Sequence, residues 1–290
     1  AVFIVLYTML AGLVSVAYTD VANGIIILFS FIIAIPIFLY EAGGFSGMAT
    51  SFALMGKPDH MDFWGVYSTL DIINFCLPPF LLIMGDANMY QRFFASKDAE
   101  GAKSATKVLI IAVALAELMI ITAAWISSSM IPDAEVGKYV LIYASHKFLP
   151  TFIGAIMMTT IVGIIISTAD SFLLVPATTL MRDIYLNYID PKANEKKIVL
   201  LSRVLVLILG IIAYIVSLGF ARSSGFFERA LYAYTIYGAS ITPSLVAALF
   251  WKGATKAGAV SSIVTGAVVT LLWKEAGFIR DIIPSNIYNN

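Results

Sequence analysis

The chain has 290 residues, 60% of them hydrophobic and 12% charged, with a formal net charge of zero and a mean hydropathy of +0.91. No soluble domain of that length covers so much apolar surface, so the composition is that of an integral membrane protein. Balanced charge with no basic run excludes a nucleic-acid partner, and a single cysteine, Cys76, excludes an internal disulfide or a cysteine metal site.

The chain opens inside an apolar run, AVFIVLYTMLAG, which lacks the basic flank of a signal peptide and reads as part of a transmembrane helix. On that reading the sequence is a fragment of a longer protein. Runs long enough to cross roughly 30 Å of hydrocarbon recur near 1–17, 21–40, 63–91, 105–129, 149–181, 198–220, 228–251 and 256–273. The expectation is an all-α protein in the lipid bilayer, with about eight transmembrane helices in one multi-pass domain over 1–290. Most of the 18 Lys and Arg fall in alternate connections: Arg92, Lys97, Lys103 and Lys107 after the third span, Arg182, Lys192, Lys196, Lys197 and Arg203 after the fifth, Lys252 and Lys256 after the seventh. The acids Glu41, Asp59, Asp62, Asp133, Glu135 and Glu228 lie on the other side. The positive-inside bias puts 92–107 and 182–203 in the cytoplasm of a plasma (cell inner) membrane protein.

Polar residues interrupt several spans. Tyr18-Thr19-Asp20 forms a break between the first two, where Asp20 reads as a solvated loop acid. Pro36 and Pro176 read as simple kinks. The third span contains Leu77-Pro78-Pro79 and then Met84-Gly85-Asp86-Ala87-Asn88, a helix breaker followed by polar groups at membrane depth. Backbone groups freed there survive only where protein or a watery cavity satisfies them, and transporters place substrate and ion sites at such breaks. The run Gly238-Ala239-Ser240-Ile241-Thr242-Pro243 interrupts the seventh span in the same way. Asp71 and Glu117 read either as pathway residues or as helix–helix pairs. In the last span Gly258, Ser262 and Gly266 recur every four residues, a packing pattern.

The fifth span holds the densest polar cluster. Within IVGIIISTADSFLLVPATTLMRDIY (161–185), Ser167, Asp170 and Ser171 stand at i, i+3 and i+4, on one helical face, with Thr168 beside them. A carboxylate at the bilayer centre costs at least roughly 2.5–3.5 kcal/mol, so it faces a partner, a cavity or an ion. Hydroxyls beside it make a hard-oxygen surface for a small cation. The residues alone leave two readings open: a cation site, or hydroxyls bonded back to the helix with Asp170 paired to a neighbour.

Four stretches in this order carry a resemblance. LYTMLAGLVSVAYTDVANGIII (6–27), MGDANMYQRFFASKD (84–98), ISTADSFLL (166–174) with RDIY (182–185), and ITPSLVAALFWKGATKAGAVSSIVTG (241–266) resemble segments of the sodium/solute symporter family. Ala11 replaces the first Gly of the family's Gly-Gly pair, and Asn23 replaces its Gln after Thr-Asp-Val. The resemblance implies a LeuT-like inverted-repeat core of five plus five helices, of the sugar and proline symporter type, with the second repeat complete and the first three core helices absent. It implies that the chain does not transport by itself, and that it is not an enzyme. It places a sodium site on the carbonyl of Ile164 and the hydroxyls of Ser167 and Thr168, and a second cation position on Asp20, Ser167, Asp170 and Ser171. Asp170 stands where members of the family carry Ser. Solute contacts fall on Asp86 and Thr235.

The function implied is sodium-coupled symport of a small solute (sugar, amino acid or organic acid) by alternating access. A proton-coupled transporter, or an uncoupled transporter or channel on the same scaffold, is the alternative. An intramembrane aspartyl protease is a remote one: Met84-Gly85-Asp86 matches its Gly-x-Gly-Asp motif only in part, because Ile83 replaces the first Gly.

Overall fold

Lipid offers no hydrogen-bond partner, so a spanning segment must satisfy its backbone internally, and helices do this within one segment. Every regular element among the described residues is accordingly helical. The computed structural model describes residues 2–133, 137, 139–221 and 226–275. Glu135 and the side chain of Glu228, read above as acids of the outer side, lie outside what is described. In chain order the α-helices are α1 (Val2–Glu41), α2 (Gly44–Leu54), α3 (Thr69–Gly85), α4 (Ala87–Phe94), α5 (Ala99–Ser129), α6 (Val140–Phe148), α7 (Thr151–Thr179), α8 (Glu195–Ala221), α9 (Phe226–Ser240), α10 (Thr242–Phe250) and α11 (Lys256–Glu275). A 3-10 turn occupies Pro58–Met61, and a π-helical stretch, Leu180–Ile189, continues α7.

Among the described residues seven stretches are long and apolar enough to cross a membrane: Ser15–Glu41, Thr69–Phe94, Ala99–Ser129, Thr151–Ile189, Glu195–Gly219, Ala230–Phe250 and Lys256–Trp273. They correspond to the second through eighth expected spans. The break between the first two expected spans is moved. Residues 18–20 are helical, and the chain bends at Gly12 instead, where φ is 71° and ψ 172°. That left-handed backbone is open to glycine at little cost. The bend is sharp: Tyr7 and Thr19 are twelve residues apart, about 18 Å along a straight helix, yet the Tyr7 hydroxyl donates to Thr19 Oγ1 at 2.8 Å. Thr19 in turn donates back to carbonyls of its own helix at Ser15 and Val16. Thr19 is thereby satisfied inside a helix, and the polar run makes no loop.

The chain divides into two compact units, Ala1–Gly65 with Phe93–Val216, and Val66–Arg92 with Ser217–Asn290. In the first, α1 runs along α7, and α5 and α6 close the same end. Its core gathers Phe31, Phe38, Met48, Phe52, Ile126 and Met157, all buried, where α1 ends, α2 caps it and α7 begins. Outward positions such as Phe29 and Ile32 are exposed and apolar, as a lipid-facing surface requires.

In the second unit α9 packs against α3 and α11, and α10 against both. Gly238 sits against Leu81, where a Cβ would stand 2.8 Å from the Leu81 Cβ, so the two helices touch through backbone. Asp71 takes a local role at the end of its helix. It closes a capping box at the start of α3, accepting from Ser68 N at 2.8 Å and Ser68 Oγ at 2.7 Å, while its own N–H donates to Ser68 Oγ. Glu117 is exposed on α5.

Candidate functional site

Two polar places emerge, one in each unit. The first lies along α1 and α7. Positions 20, 23 and 30 of α1 and 160, 163 and 167 of α7 fall at three-, four- and seven-residue spacings, so each set shares a helical face. The helices run antiparallel and meet in three rungs. Ser167 Oγ donates a short hydrogen bond to Asp20 Oδ1. Asn23 Nδ2 donates to the Gly163 carbonyl at 3.5 Å. Ser30 and Thr160, both buried, share a hydrogen bond of 2.7 Å. A cleft of about 180 Å³ opens beside them, lined by Asn23, Thr160, Gly163 and Ile166 among others.

Asp20 is therefore a half-buried helical residue facing α7, and its reading as a solvated loop acid is corrected. The Ile164, Ser167 and Thr168 oxygens share one turn of α7. Thr168 Oγ1 donates to the Ile164 carbonyl at 2.9 Å, as Ser167 donates to Asp20. Each hydroxyl thus has its proton committed and keeps lone pairs, and the carbonyl keeps a second one. An oxygen that presents only lone pairs suits a cation. Asp170 is 1% exposed and lies on the buried stripe of α7 with Met157, Thr160, Leu174 and Ala177. Ser171 follows it, half-buried. Among the described residues no three His, Cys, Asp or Glu form a metal-binding group; the donor set is hydroxyl, carbonyl and carboxylate, the set for a hard cation.

The second place is the break between α3 and α4. The helix passes through Pro78 and Pro79 and stops at Asp86, where ψ turns to 110°. Several of the backbone groups freed there have partners. The Ile83 carbonyl takes Asp86 N at 3.3 Å in place of residue 87. Ala87 N donates instead to the Tyr237 hydroxyl at 3.2 Å, and that hydroxyl donates to the Gly85 carbonyl at 3.2 Å. The Met84 carbonyl takes the Tyr90 hydroxyl at 3.1 Å. Asn88 N, released from Met84, donates to Asp86 Oδ1 at 2.9 Å, and Asn88 Nδ2 donates to the same oxygen at 2.9 Å.

Asp86 thus caps α4, a role that a short acid at a helix start fills by satisfying an orphan N–H. Thr242 Oγ1 donates to the Leu81 carbonyl at 2.6 Å, and the buried Gly85 lies so close that a Cβ would stand 2.4 Å from that hydroxyl oxygen. Thr235 is half-buried and donates to its own helix at Leu231, 2.9 Å away. Its neighbour Tyr237 is the residue of α9 that reaches the break. Sequence reasoning missed Tyr237, Ser30 and Thr160. A membrane tyrosine needs a partner for its hydroxyl, but that rule does not identify the partner.

The sequence model of the Sodium:solute symporter family matches residues 1–266. The chain is 28% identical to the osmoregulated proline transporter OpuE of Bacillus subtilis over 98% of its own length and 59% of that protein. It is 27% identical to the high-affinity proline transporter PutP of the same species, over 97% and 60%, and 26% identical to a sodium/proline symporter of Staphylococcus aureus, over 94% and 54%. The chain therefore spans a little over half the length of these relatives. Its fold is similar to that of a Na+-coupled sialic acid symporter solved in a substrate-bound outward-open state, with a TM-score of 0.61 at 16% identity, over 93% of this chain and 65% of that one.

Proposed function

The chain belongs to the sodium:solute symporter family, and from that premise we propose that it carries the cation site and part of the solute pocket of a transporter coupling sodium entry to uptake of a small organic solute. It is a multi-pass plasma-membrane protein of a family of transporters, which sets the protease reading aside. The observation that carries the proposal is the Ile164–Thr168 turn of α7, where half-buried Ser167 donates to the Asp20 carboxylate and exposed Thr168 donates to the Ile164 carbonyl, each hydroxyl keeping lone pairs. Sodium held there draws α7 to the elements around it. Because ligand coupling is reciprocal, the ion raises solute affinity and the solute raises ion affinity. The membrane potential adds about 2.3 kcal/mol per charge per 100 mV to the driving force.

The relatives named above transport proline, which makes an amino acid of that kind the first solute to test. Asp86 offers the amine its second carboxylate oxygen while Oδ1 caps α4. Buried Asp170, with Asp20 and Ser171, supports a second position for a cation or a proton.

The test is proline uptake into proteoliposomes holding the intact protein, measured against sodium concentration. Replacing Ser167 and Thr168 together by Ala raises half-saturating sodium many-fold, and each single change does less, since water and carbonyl oxygens partly stand in. An unchanged sodium dependence would remove both residues from the site.

A further inference from the structure

A second cleft in the first unit, of about 340 Å³, lies between the start of α1, the end of α7 and α8. Arg182 and Arg203 line it, with the hydroxyls of Thr178 and Ser202 and apolar side chains that include Leu10 and Val199. No carboxylate is among the lining residues. Neither guanidinium has a hydrogen bond or ion pair among the described residues; Asp183 and Glu195, the acids nearest to them in sequence, do not line the cleft, and Asp190 is bonded to Lys197 at 2.8 Å. Two like charges facing one cleft with no acid between them repel each other until an anion enters.

Depth in the membrane narrows the anion. The Thr151–Ile189 stretch is 39 residues long, well beyond what roughly 30 Å of hydrocarbon requires, so its Arg182 end stands at headgroup level. The distribution of Lys and Arg makes that end cytoplasmic. Leu10 is 64% exposed and Val199 49% exposed. Apolar walls give nothing to a free inorganic ion but shelter an acyl chain. Arginine's planar fork matches phosphate with two parallel bonds, and basic pockets between membrane helices on the cytoplasmic side hold lipid headgroups.

We propose that this cleft binds the phosphate of an anionic phospholipid of the inner leaflet, with Arg182 and Arg203 as its two donors. The site is distinct from the cation and solute positions and stands whether or not those assignments hold.

The test is native mass spectrometry of the intact protein released from nanodiscs of equimolar phosphatidylcholine and phosphatidylglycerol. The parent protein retains phosphatidylglycerol in preference to phosphatidylcholine. The double change R182Q/R203Q weakens that retention about thirtyfold, whereas K192Q/K196Q, the same charge change in the adjoining loop, leaves it intact. If R182Q/R203Q does not fold, R182K/R203K serves, keeping the charge but losing the paired bonds, with a severalfold loss expected. Equal retention by parent and arginine variants overturns the site, as does equal loss in the arginine and lysine pairs, which would mark diffuse surface attraction. No lipid retained by the parent means that protein fills the cleft and also overturns the proposal. Displacement of the lipid by added inorganic phosphate overturns the lipid assignment in favour of a free anion.

Discussion

At the α3–α4 break polar side chains take up backbone that the broken helix releases, whereas between α1 and α7 two of the three rungs pair side chain with side chain. Tyr237, Tyr90 and Asp86 each satisfy a main-chain group that the broken helix releases. Ser167 with Asp20, and Ser30 with Thr160, pair side chains across two helices whose own ladders continue. An unsatisfied main-chain group in hydrocarbon costs several kcal/mol, so the break tolerates little rearrangement. A side-chain pair can exchange its partner for an ion at much smaller cost. The first region is built to stay as it is, and the second is the one that the proposed cation site requires to be remade on binding.

That contrast breaks most visibly at Gly85. Alanine there puts a Cβ 2.4 Å from the Thr242 hydroxyl oxygen, with Thr242 backbone at 3.4 Å behind it. Overpacking of this kind costs about 3 kcal/mol, read as a lowered unfolding midpoint in detergent. Adding Thr242→Ala removes the obstructing hydroxyl and recovers part of the loss. A Gly85→Ala protein as stable as its parent would mean that the break is soft.

In the exchangeable region the expected effect is on charge and not on folding. Asp170→Asn removes a buried carboxylate from the proposed second cation position. Fewer charges then move per solute, a loss of about 2.3 kcal/mol of driving force per charge per 100 mV. Current and solute flux measured together decide this. An unchanged ratio with an unchanged pH profile makes Asp170 a packing residue.

The smallest effect separates the two uses of one residue. Asp86→Asn keeps an Oδ1 to cap α4, whereas Asp86→Ala loses the cap, worth about 1 kcal/mol. If solute binding falls equally in both, with stability lost only in Ala, the solute uses the charge. If only Ala affects both, Asp86 serves the helix alone.

The legible part of this protein was the part that local chemistry decides. Apolar runs of bilayer length mark the seven stretches because lipid leaves a chain no other way to satisfy its backbone. The 84–88 run marked the break to within a few residues, although Pro78-Pro79, the stronger local signal, left the helix intact. Ser68 and Asp71 carried a capping pattern, three residues apart, that was there to be read. The first bend was misread because Tyr18-Thr19-Asp20 is polar, and polarity alone does not distinguish a loop from a helix whose hydroxyls bond back.

What the sequence determined by itself is the set of membrane helices and the polar stripe of α7, since both follow from spacing along one segment. Only the tertiary structure decided which groups meet. Asp20 and Ser167 are 147 residues apart, Ala87 and Tyr237 are 150, and Leu81 and Thr242 are 161. A hydrogen bond acts over about 3 Å, so no periodicity in the sequence records a partner that only the folding of distant segments brings within reach.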